Sequence, residues 1–282
     1  MMSLSVKVNG GYADQHKISL DDIAILAKSI QAISRNYQSK NDEKVYTDIY
    51  ISADRAGSYE LLLELLNNPY VQGVGSAYLY DLSKEIKSFL LTKDKKKVIT
   101  TLIDEIFSLA LKLADEDYYD YRVEEKNQLL EKKERLLQLE YSTFNAINDI
   151  SKLVKQSPDE ESNKPDSISF STPNIDEINE FSFNAETRKK IHEMSNEILE
   201  LEEITVMGIP TNLSRTPTAY FKMKAPFFGM LKIHVEQSDF EVISDYFKKK
   251  EIITVKIKPI LKIGEMIKTK EGKLTEIIEK EK

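Results

Sequence analysis

The chain is expected to be an α+β protein: an N-terminal antiparallel sheet with helices and a helical middle, then a small OB-like β-barrel. Three observations predict this. Apolar residues alternate at period two around residues 4–8, 45–51 and 59–65. They recur at helical spacing through most of 68–155. Residues 203–278 then give three strand-like runs, one helix and two further strands, the element order of an OB-fold.

Leu4, Val6 and Val8 open the chain, and Asn9-Gly10 is a type I′ turn signal, so a hairpin returning over Tyr12 to Ile18 is expected. Ser19 is a good N-cap, with Asp22 three residues on. Ile23, Leu26, Ala27, Ile30, Ile33 and Tyr37 follow as an apolar stripe of a helix. Val45, Thr47, Ile49 and Ile51 alternate, Arg55-Ala56-Gly57-Ser58 supplies a turn, and Tyr59, Leu61, Leu63 and Leu65 lead back.

Three helices are expected next: one marked by Tyr78, Leu82, Ile86 and Phe89, one over Val98 to Leu113, and one from Arg122 towards Val154. In the last, Leu130, Leu137 and Phe144 recur every seven residues, but the companion positions Lys133 and Glu140 are charged. Packing within its own domain and a helix-mediated dimer are both open. Ser157-Pro158-Asp159-Glu160-Glu161-Ser162-Asn163-Lys164-Pro165 reads as linker, with a short strand near Ile168–Ser171. The expected division is a domain over 1–155, a polar linker over 156–183, and a barrel domain over 184–282 that opens on a helix from Asn184. Within the barrel, Leu231, Ile233 and Val235 alternate with Lys232, His234 and Glu236, and a helix with Ser238 as its cap buries Phe240, Ile243 and Phe247.

The 282 residues contain no Cys, which removes disulfides and thiolate chemistry and suits a reducing compartment. With no run of about 18 apolar residues, no membrane segment is expected, and a cytoplasmic location is. The net charge of −7 is uneven: residues 201–282 carry 14 Lys and one Arg against 12 acids, a net of +3, which leaves 25 basic and 35 acidic residues before them.

Catalytic and metal motifs are sparse. His16, His192 and His234 are far apart, and Asp14 with His16 is a pair without a third member. Asp115, Glu116, Asp117 and Asp120 sit among tyrosines but lack the spacing of a calcium loop. Pro158-Asp159 and Glu131-x-Lys133 have the letters of a metal-dependent nuclease in the wrong order and context, and Gly73-Val74-Gly75 lacks the residues of a phosphate loop. No cofactor is expected.

One stretch stands above background. From Ile204 to Val235 there is no Asp or Glu over 32 residues. That window holds Arg215, Lys222, Lys224, Lys232 and His234, interleaved with Tyr220, Phe221, Phe227 and Phe228. Cations and stacking rings on the second and third strands of an OB-like barrel are what a single-strand-binding face uses. Alternation puts Tyr220, Lys222 and Lys224 on one side of their strand, with Phe221 and Met223 turned into the barrel. The candidate nucleic-acid-binding set is therefore Arg215, Tyr220, Lys222, Lys224, Lys232 and His234.

The segment Gly11-Tyr12-Ala13-Asp14-Gln15-His16-Lys17-Ile18-Ser19-Leu20-Asp21-Asp22-Ile23 resembles the start of uncharacterised bacterial proteins with a similar layout, and Arg55-Ala56-Gly57-Ser58-Tyr59 is similar as well. The resemblance implies a bacterial accessory protein and carries over no site residue. The expected function is a non-catalytic binding or adaptor protein, meeting single-stranded nucleic acid or a protein partner, or another copy of itself. The alternative is an enzyme with a carboxylate-built, metal-dependent, nuclease-like site.

Overall fold

Val6 and Val8 share one side of the first strand, and the fold buries both, at 0 % and 1 % exposure. The structure is a computed structural model that describes residues 3–15, 18–41, 47–52, 59–65, 81, 84–88, 93–114, 123–171, 181–201, 203–225, 229–265 and 271–278. It divides into two units, one of residues 1–99 with 136–194 and the other of 100–135 with 195–282.

The first unit holds β1 (Ser3–Asn9), α1 (Leu20–Asn41), β2 (Thr47–Ser52), β3 (Tyr59–Leu65), β4 (Ser167–Ser171) and β5 (Phe181–Phe183). Its sheet runs β2-β3-β1-β4-β5, and every neighbouring pair is antiparallel. The hairpin expected after Asn9-Gly10 does not form. Gly10 and Gly11 take the positive φ values (81° and 60°), and Gly11–Gln15 is a 3-10 turn. The physical reason is that β3 and β4 occupy both edges of β1, so no edge remains for a local return strand. The two glycines also let the chain pass close to 163–166: a Cβ on Gly10 would meet the Asp166 side chain, and one on Gly11 the Lys164 backbone. Tyr12 then fastens the turn to α1, its hydroxyl donating to Asp22 Oδ2 at 2.6 Å. Burial first, and then this carboxylate, push the phenol above its ordinary range. Ser19 caps α1 as expected, its Oγ accepting from the Asp22 N–H at 3.0 Å.

Residues 156–183, expected as a linker, contain β4 and β5 and so belong in part to this sheet. Ile168 and Phe170 pair with Val8 and Val6 on one side, and with Phe183 and Phe181 on the other. Residues opposite each other share a sheet face, so six apolar side chains form one layer. Phe170 and Phe181 stack with centroids 5.0 Å apart, and Phe183 meets both edge-on. The polar run before β4 is tied down by backbone bonds: Lys155 N–H to the Pro165 carbonyl, Tyr12 N–H to Asn163, and Asp166 N–H to Asn9. The short strand expected near Ile168–Ser171 is β4, and β5 is the strand that composition concealed.

Two long helices follow the chain through its middle, α2 (Lys93–Ala114) and α3 (Val123–Lys152). The charges that break the heptad of α3 are used inside the chain. Lys133 bonds Glu105 of α2 at 2.6 Å. Glu140 and Lys95 are buried and form a quartet with the part-buried Lys40 and Glu85, whose four ammonium–carboxylate contacts run from 2.6 to 3.2 Å. Asn36 of α1 donates to Thr143 of α3 nearby, at 3.1 Å.

α4 (Ala185–Asn196) starts on a reciprocal cap: Asn184 Oδ1 accepts from the Thr187 N–H at 3.0 Å, and Thr187 Oγ1 from the Asn184 N–H at 2.6 Å. Asn184→Ala is expected to cost about 1 kcal/mol of stability, read as a lower urea midpoint.

The second unit contains β6 (Ile198–Glu200), β7 (Ile204–Ser214), β8 (Tyr220–Ala225), β9 (Gly229–His234), α5 (Gln237–Lys249), β10 (Ile253–Lys262) and β11 (Glu271–Ile278). Strand β7 pairs with β8, β8 with β9, β10 with β7 and β11 with β10, all antiparallel. Strand β11 closes the ring by running parallel to β9. Five strands joined in this order, with a helix between the third and fourth, make a closed OB-like barrel. Strand β6 adds to β10 beyond the ring. Alternation fills the interior: Ile204 and Val206, Phe221 and Met223, Leu231 and Ile233, then Ile253, Val255 and Ile257 belong to one core with Ile243 of α5 and Leu274 of β11. Ser238 is not the cap of α5. The helix starts two residues earlier than that cap implies, with Glu236 at the N-cap and its carbonyl accepting from both Asp239 and Phe240.

Candidate nucleic-acid interface

The interior of the barrel dictates what its outside carries. Phe221 and Met223 are both 0 % exposed, so the residues between and beside them on β8 must point out. Tyr220, Lys222 and Lys224 therefore stand on the outer face, as the alternation predicts. Across β9 the register sets Tyr220 opposite His234, Lys222 opposite Lys232, and Lys224 opposite Met230. On the other flank β7 places Ser214, Asn212 and Ile209 beside the same three β8 residues. The face thus runs from an aromatic end through a cationic middle to an apolar end, where Met230 and Ile209 are 47 % and 40 % exposed.

Two lysines directly opposite each other cost a sheet some stability. The structure relieves this with a residue the acid-free window did not contain. Glu271, the first residue of β11, registers beside Lys232 in the parallel pair. Its Oε1 accepts from Lys232 Nζ at 3.1 Å, and its Oε2 lies 3.0 Å from His234 Nε2. A carboxylate only accepts, so His234 Nε2 carries the hydrogen. Burial pushes the Glu271 carboxyl up, but the His234 and Lys232 hydrogen bonds and charges outweigh it and hold the acid below its ordinary range. Lys232 Nζ also sits over the Tyr220 ring, 5.1 Å from its centroid, and the His234 and Tyr220 rings are 6.5 Å apart. Lys222 and Lys224 have no carboxylate at ion-pair distance among the described residues.

Five of the six candidate residues are brought onto this face. Arg215 is not among them: its guanidinium pairs with Glu241 of α5 and lies over the Phe240 ring, 4.8 Å from the centroid. Of the other rings in the window, Phe221 is core, and Phe227 and Phe228 lie outside the described residues. Comparison with protein-family models, curated proteins and solved structures finds no match to this chain.

Other clusters offer less open chemistry. The Lys40–Glu85–Lys95–Glu140 quartet balances two cations with two anions and satisfies each within the chain. Of the nuclease letters, Glu131 and Lys133 lie on α3, with Lys133 held by Glu105, and Pro158-Asp159 is an exposed turn. Among the described residues no three His, Asp or Glu stand together as a metal site, and no helix is long and apolar enough to cross a membrane. His16, Gly73 to Gly75 and the acidic group at 115–120 lie outside the described residues, and of the Asp14 side chain nothing is described.

Proposed function

We propose that the chain is a non-catalytic binding protein whose OB-like barrel takes single-stranded nucleic acid on the outer face of β8 and β9. The observation that supports this reading is the grouping of Tyr220 with Lys222, Lys224 and Lys232 on adjacent strands of the face that such barrels use for oligonucleotides. Tyr220 offers a ring to one base, and the lysines offer point charges to phosphates on either side. The contacts are to backbone and π-face, so binding tolerates sequence and falls steeply with salt.

Fluorescence anisotropy with a labelled single strand of about 12 nucleotides, at low and moderate salt, tests this. Tyr220→Ala is expected to cost about 1–3 kcal/mol of binding with the fold intact. No binding by the wild-type chain at low salt sinks the nucleic-acid reading. It leaves a protein partner on the same face, whose apolar end at Ile209 and Met230 suits one. The same samples incubated with Mg²⁺ test the nuclease-like alternative, for which the labelled strand is expected to stay uncut.

A further inference from the structure

We infer that Glu271 is a specificity-determining residue of this face: it latches Lys232 over the Tyr220 ring, so that a base reaches the ring only when a phosphate has drawn Lys232 away. The inference rests on the nucleic-acid reading and says which ligands that site admits.

Three contacts on one carboxylate and one ring carry it. Glu271 holds Lys232 at 3.1 Å and His234 at 3.0 Å, one on each oxygen. The ammonium so held stands 5.1 Å from the Tyr220 centroid, on the π-face a base needs. Lys232 is thus engaged twice, by a carboxylate and by a ring, and neither engagement survives base stacking unchanged. A nucleoside brings a π-face but no charge to compete with Glu271, and it leaves the latch shut. A strand brings phosphates that replace Glu271 as the partner of Lys232, and Lys222 directly opposite supplies a second cation to the same phosphate. The anchor is remote in sequence but fixed in register, because Glu271 and Lys232 are paired residues of the β11–β9 ladder that closes the barrel. It is a geometric part of the fold.

Glu271→Gln keeps the shape and removes the charge. At this half-exposed position the two pairs contribute little, so the barrel should stay folded with only a small drop in its thermal midpoint. Removing one anion that competes for the phosphate site should tighten binding of the labelled strand about three- to tenfold and steepen the log–log salt slope by about one. Unlabelled nucleoside, inert as a competitor against the wild-type chain, should begin to compete against the variant. A ligand-free measurement accompanies these: the Lys232 side-chain methylene resonances, shifted by the Tyr220 ring in the wild type, should move towards random-coil positions in the variant.

Wild-type binding with no gain in the variant overturns the latch and leaves the binding face standing. Unchanged Lys232 resonances in the variant overturn the anchoring role whatever the strands do. No binding by either protein overturns the nucleic-acid reading and the latch with it.

Discussion

Phe221→Ala is expected to lower the unfolding free energy by about 3–5 kcal/mol, the usual cost of emptying a buried ring's site. Phe221 has no exposed surface, faces Ile233 across β9 and Leu213 across β7, and belongs to the barrel core. Its neighbour Tyr220 makes the contrast. Both are aromatic, adjacent and on β8, yet Tyr220→Ala should leave stability nearly unchanged and act on binding. Urea unfolding of the two variants separates them. Equal destabilisation would mean that Tyr220 is part of the packing, and the outer face would lose its stacking ring.

Glu140→Gln is expected to destabilise the chain by a similar amount, about 3–5 kcal/mol, because it leaves two largely desolvated cations with a single carboxylate between them. Lys40 and Lys95 would then share Glu85 alone, at 2.6 and 2.9 Å. Replacing Lys95 and Glu140 together by Met and Leu should recover part of the loss, since the desolvation of both charges disappears with them. The pH dependence follows from Glu85. Burial pushes its carboxyl up, and the Lys40 and Lys95 ammonium groups outweigh burial and hold it below the ordinary value of 4.5. A depressed folded value means that the stabilisation is fully present above pH 4.5 and is lost as pH falls through the lower folded value. Urea midpoints measured from pH 7 downward should drop in that window in the wild type, and drop less in a Glu85→Gln background. A midpoint insensitive to Glu140→Gln at pH 7 would contradict the burial of the quartet.

The barrel was the legible part of this sequence, for a local reason. Strand β8 alternates inward and outward residues, so Phe221 and Met223 inside and Tyr220, Lys222 and Lys224 outside follow from it alone. Glu271 was not legible. It reaches Lys232 and His234 only through the parallel pairing of β11 with β9, a register that no local pattern encodes. Arg215 shows the complementary limit: a cation close in sequence to the face is held by Glu241 and Phe240 of α5. The expected N-terminal hairpin shows the same limit, since Asn9-Gly10 is a turn signal whichever strand pairs next. The quartet was visible only as one interruption, Glu140 where α3 should have been apolar, and its partners lie elsewhere in the chain.

The position of β1 has a consequence in time. Asn9 and Ser167, hydrogen-bonded neighbours in β1 and β4, are 158 residues apart. At about 5–20 residues per second, a ribosome needs roughly 8–30 s to supply that stretch. From the synthesis of β3 until that of β4, β1 has β3 on one edge and an unpaired ladder on the other, with Val6 and Val8 lacking the Phe170 and Ile168 that cover their flank. An open edge beside apolar side chains is a template for pairing with another chain. Nascent or truncated chains that stop before β4 are therefore the form of this protein most prone to aggregate, and a fragment ending at residue 155 would hold that form permanently.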